Sequence, residues 1–131
     1  MIGSKGPRML EISLPHVDSW NVWFSDTGNS PSGVPELRAL VDEACREVGR
    51  DPSEVERTVA VQVRMPGGAG RIDGSGHASR IVPLEGEPEH IADELRAYAD
   101  EGIAHVQLVV DPIDRRAVEG LAPVLTALDQ P

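Results

Sequence analysis

The 131-residue sequence holds a single cysteine, Cys45, which excludes an internal disulfide. Aromatic residues make up 3% of it, so a core has to be built mostly from Val, Leu, Ile and Ala. Basic residues are few: 12 Lys and Arg against 22 Asp and Glu give a formal net charge of -10. A general nucleic-acid binder needs a basic face to neutralise phosphates, and this composition argues against one. The acidity identifies no partner, because acidic surfaces mostly serve solubility. No apolar run approaches the roughly 18 residues of a membrane span. Met1–Leu10 lacks the apolar stretch of a signal peptide. These absences favour a cytoplasmic protein with neither a membrane nor a nucleic-acid partner. What remains, 40% hydrophobic and 26% charged residues, suits one soluble globular domain over residues 1–131.

The pattern alternates short strands with helices. Met1 and Ile2 read as the stub of a strand, followed by a loop, Gly3–Gly6. Pro7 suits the first turn of a helix, with a stripe at Met9, Leu10, Ser13 and Leu14 that Pro15 ends. Val17–Trp23 reads as a strand and Ser25–Pro35 as a loop rich in Gly, Ser, Asn and Pro. Glu36–Val48 carries the clearest helical stripe, with Leu37, Leu40, Val41, Ala44, Cys45 and Val48 on one face, and Gly49 suits its end. Arg57–Arg64 is a strand. Met65–Gly86 is a long glycine-rich connection, expected to be the most mobile internal segment. Glu87–Glu101 is a helix with a stripe of Ile91, Ala92, Leu95, Tyr98 and Ala99. His105–Val110 is a nearly continuous apolar strand, as in a sheet covered on both faces. Asp111-Pro112 turns the chain, and Ala117–Leu128 is a last helix, bent at Pro123.

Strands separated by helices imply an α/β fold with parallel pairing and right-handed crossovers. Two architectures meet this description: a small open doubly wound sheet, and about four βα units of a (β/α) TIM-type barrel. In both, ligands bind beyond the carboxyl ends of the strands. The loop Gly3–Gly6 lies at that end. Its glycines allow close backbone approach to an anion, the helix after it offers free N–H groups, and Ser4, Lys5 and Arg8 add donors. An ordinary strand-to-helix turn needs glycine as well, so the loop alone decides nothing. Trp20, Asn21 and Trp23 could wall a planar ligand or fill the mouth of a barrel as core. His16, His77, His90 and His105 have no metal-ligand spacing, and no metal site is expected. Asp73, Ser75 and His77 have the residue types of a hydrolytic triad but lack the strand-turn-helix of a nucleophile elbow. Cys45 sits on a buried stripe as an inert core residue.

Four segments together resemble the luciferase-like monooxygenases, a family of flavin- or F420-dependent oxidoreductases. They are Ile2–Leu10, with its glycine loop and helix; Val17-Asp18-Ser19-Trp20-Asn21; Val48-Gly49-Arg50-Asp51-Pro52; and Gly86–Val110. They cover nearly the whole chain in the family's order. The resemblance implies the C-terminal half of an eight-stranded (β/α) barrel. It implies FMN or the deazaflavin coenzyme F-420 (F420) as cofactor, with monooxygenation or hydride transfer as the chemistry. It also implies that Gly3, Ser4, Lys5, Gly6, Pro7 and Arg8 hold the cofactor phosphate. Ser4 stands where a second glycine is usual, and Pro15 where the helix usually continues.

The chain supplies about four of the eight strands. The expectation is a truncated or split gene product, or a chain that assembles with a complementary N-terminal half or with further copies of itself. No catalytic residue is assigned, and the substrate is a small organic molecule. A half barrel has two bare sheet edges. It would also leave Val59, Val61 and Val63, and Val106, Leu108 and Val110, facing inward without an opposite wall. The competing expectation is a non-catalytic oligomeric scaffold or regulatory protein derived from the same fold.

Overall fold

The computed structural model describes residues 1–70 and 79–130. Among the described residues, three parallel strands form one sheet: β1, Ser19–Val22; β2, Glu56–Arg64; and β3, His105–Asp111. They lie side by side in chain order, as the partial-barrel expectation has it. The stub does not become a full strand. Ile2 makes a parallel bridge to Trp20, donating to the Ser19 carbonyl at 3.0 Å and accepting from the Asn21 N–H at 2.8 Å. Thr58–Arg64 of β2 is in register with His105–Asp111 of β3.

Among the described residues there are six α-helices: α1, Pro7–Ser13, before β1; α2, Phe24–Thr27, and α3, Val34–Glu47, between β1 and β2; α4, Pro88–Asp100, between β2 and β3; and α5, Arg115–Glu119, and α6, Ala122–Leu128, after β3. The segment expected to be loop after β1 holds both α2 and a 3-10 turn, Pro31–Gly33. The last helix is two helices. Pro123 lies in the first turn of α6, where proline is favoured, so it starts a helix and does not bend one. On α3, Val41 and Cys45 are fully buried, whereas Leu40 is 42% exposed at the edge of the stripe. Residues 71–78 of the glycine-rich connection, including Asp73, Ser75 and His77, lie outside the described residues. Its two flanks are tied down. Leu84 bridges Val63, and the Gly70 N–H donates to the Asp111 carboxylate at 2.8 Å.

The valines on β2 face the opposite way from the half-barrel expectation. Val59, Val61 and Val63 are 0–1% exposed and belong to the core with Val41, Cys45, Ile91 and Leu95. Val106, Leu108 and Val110 pack against the same core, partly buried. These residues face the helices. Alternation sends Thr58, Ala60 and Gln62 to the other face, where they are buried as well. A period of two separates the faces of a strand but does not say which one meets the helices. Nor is β3 covered on both sides: Val106–Asp111 are all only partly buried, as suits the strand at the end of the sheet.

Gly33 shows how closely α2 and α3 approach. A Cβ there would sit 2.1 Å from the Thr27 carbonyl oxygen, a backbone atom that cannot swing aside. At Gly6 a Cβ would meet only the Ser4 hydroxyl, at 3.8 Å. Gly33→Ala is expected to lower the unfolding free energy by about 1–3 kcal/mol or more, the usual cost of overpacking. Gly6→Ala should leave it nearly unchanged. Urea denaturation of both variants checks this.

Candidate functional site

The carboxyl ends of the strands gather the chemistry-bearing residues. The bridge at Ile2 delivers the chain into Gly3–Gly6 at that end, and Pro7 opens α1. The loop is held from two sides. The Trp20 indole N–H donates to the Ser4 carbonyl at 2.7 Å, and the Lys5 ammonium is paired with the Asp26 carboxylate on α2. Within the loop, the Gly6 N–H donates to the Ser4 hydroxyl oxygen at 3.3 Å. Gly3, Lys5, Gly6, Pro7 and Arg8 are exposed and Ser4 is half-buried. Arg8 has no ion pair among the described residues. All six residues expected to hold a phosphate are thus together and open to solvent. Two of their donors are engaged by Asp26 and Ser4.

The two tryptophans separate. Trp20 is core, 2% exposed, whereas Trp23 is 44% exposed and leans on Phe24, with ring centroids 4.9 Å apart and planes inclined by 38°. The exposed His16, His90 and His105 join no cluster: no group of three metal-ligating side chains occurs among the described residues. Cys45 is buried and free.

Three features of this end were not read from the sequence. Arg64, the last residue of β2, makes a two-pronged ion pair with Glu85, at 2.5 and 2.7 Å. This holds the Glu85 carboxyl below its usual range and raises the Arg64 guanidinium, the hydrogen bond being the larger cause in both. Asp111 anchors the other flank. Its carbonyl accepts from the Met65 N–H at 2.8 Å, and a Cβ on Gly68 would lie 2.6 Å from that oxygen. Between these anchors lies a cleft of about 560 Å³ lined by Arg64, Met65, Gly68, Glu85 and Gly86.

The third feature is Asn29. Its φ of 56° is left-handed, a conformation asparagine tolerates better than most residues. Its side-chain amide substitutes for a strand beyond the end of β1. Oδ1 accepts from the Gln62 N–H at 2.8 Å, and Nδ2 donates to the carbonyls of Gln62 and Val82, both at 3.0 Å. Gly28-Asn29 is a turn dipeptide. That signal marks the turn but not the partner 33 positions away.

A larger cavity, about 700 Å³, opens at the opposite end of the sheet and is lined by Asp18, Arg38, Asp42 and Arg57 among others. Its main polar feature is a structural ion pair. Arg57, 6% exposed, donates to Asp42 at 2.6 Å. Parallel α/β folds bind ligands at the other end.

No family model matches the sequence, and no curated protein matches it. Solved structures do. The chain superposes on an F420-dependent secondary alcohol dehydrogenase, solved in complex with an F420-acetone adduct. The TM-score is 0.64 and the identity 16%, over 99% of this chain and 48% of that one. It also superposes on a coenzyme F420-dependent tetrahydromethanopterin reductase from Methanopyrus kandleri. There the TM-score is 0.61 and the identity 14%, over 93% of this chain and 47% of that one. At these identities the likeness is one of fold. The chain spans about half the length of the solved proteins it matches. The fold is therefore similar to that of F420-dependent oxidoreductases. The luciferase-like resemblance read from four sequence segments has its counterpart in the fold. No described helix is long and apolar enough to cross a membrane.

The amide of Asn29 accepts from the buried Gln62 N–H and shares the Gln62 carbonyl with the Leu84 N–H. Asn29→Ala is expected to destabilise the chain by about 1–3 kcal/mol, the cost of leaving the buried Gln62 N–H unpaired. Asn29→Gly should lose nearly as much, although glycine suits the backbone angle. Chemical denaturation of the two variants separates the amide's contribution from that of φ.

Proposed function

We propose that this chain forms about four βα units of an eight-stranded (β/α) barrel and carries the cofactor-phosphate end of a luciferase-like oxidoreductase site. The observation that supports this most is the position of Gly3–Arg8: an exposed loop at the carboxyl end of a parallel sheet, running into a helix. Gly3, Ser4, Lys5, Gly6, Pro7 and Arg8 fit a phosphate. Lys5 and Arg8 supply charge, the Ser4 hydroxyl a donor, and the first turn of α1 N–H groups without helical partners. Pro7 loses nothing there, lacking an N–H. The cofactor is F420 or FMN, and both solved neighbours being F420-dependent favours F420. When bound, it supplies hydride transfer or oxygen chemistry. This chain's residues bind and orient its phosphate, and none is assigned as a general acid or base. The enzyme is a cytoplasmic oxidoreductase or monooxygenase acting on a small organic substrate.

A second reading is a non-catalytic scaffold or regulatory protein of the same fold. One observation favours it: Asp26 and Ser4 already engage two donors of the loop, the Lys5 ammonium and the Gly6 N–H, without a ligand. Titration with FMN and with F420 separates the two readings. Under the first, Lys5→Ala weakens binding about five- to ten-fold, the loss of one exposed charge-assisted hydrogen bond. Asp26→Ala releases Lys5 and removes a nearby negative charge, so it strengthens binding. Failure of both ligands to bind at millimolar concentration supports the scaffold.

The partner that completes the barrel is a second copy of this chain or a complementary half-barrel. The half-covered strand β3 and the exposed apolar residues on the terminal helices, Met9, Ile12, Val118 and Leu125, support an edge that pairs. Light scattering of the 131-residue chain at micromolar concentration is expected to give a particle heavier than 14.1 kDa. A 14.1 kDa species with cooperative unfolding counts against self-pairing.

A further inference from the structure

We draw no further inference here: the strongest candidate, the cleft of about 560 Å³ at the carboxyl end of β2 where Arg64 grips Glu85, carries nothing, because that carboxylate already fills the guanidinium fork, with Asp111 nearby, and among the described residues no buried polar side chain lining the cleft lacks a partner to show what would sit there.

Discussion

Nearly every feature of this molecule is set against β2. The strand is hydrogen-bonded along both edges, to β1 on one side and β3 on the other, and Arg57–Val63 are buried on both faces. A strand in that position has no free backbone group to spare. Where β1 stops, at Val22, β2 runs on to Arg64, and its outer edge would be left unpaired. Buried backbone N–H and C=O groups without partners are costly. The fold answers with pieces that are not strands: the side-chain amide of Asn29, then the single bridge at Leu84. The left-handed backbone at Asn29 and the course of the chain through Val82–Leu84 follow from that one requirement. The carboxyl end of the sheet, where a ligand would sit, is shaped by the means that complete β2's edge.

The three strands and the helices α1, α3 and α4 were legible from periodicity, because helices of period 3.6 and strands of period 2 leave different stripes. Val41 and Cys45 at the centre of the α3 stripe are as buried as their spacing implies, and only Leu40, at its margin, escapes. What periodicity does not carry is direction. Val59, Val61 and Val63 alternate with Thr58, Ala60 and Gln62, and both sets are buried. Only the packed structure tells which set meets the helices. Likewise Pro123 announces a break in the last helix. The sequence does not say whether a proline sits inside one helix or begins another. The long-range ties of Arg64 to Glu85 and of Asn29 to Gln62 join residues that share no local pattern, so no window of sequence contains them.

The segments that carry the family resemblance turn out to hold the fold together. The Arg50 guanidinium donates to the carbonyls of Leu14 and Val17, tying the end of α1 to the start of β1. Asp51 accepts from the Ser53 N–H and hydroxyl, which lowers its carboxyl pKa. Trp20 pins the glycine loop and Asn21 takes the Thr58 hydroxyl. The resemblance therefore speaks first of architecture. The residues with freedom to meet a ligand, Arg8 and Trp23, are the ones that this framework leaves outside.

The pairing of Lys5 with Asp26 has a consequence for how the loop responds to electrolyte. Two exposed opposite charges attract less as mobile ions accumulate around them, over a screening distance of about 8 Å at physiological ionic strength. Added salt loosens the grip of Asp26 on the ammonium and, at the same time, weakens the ammonium's pull on any anion that approaches. The two effects oppose one another. A loop built this way has its own internal counterion. Its affinity for an anion changes less steeply between dilute and concentrated buffer than that of a bare cationic cradle of the same size.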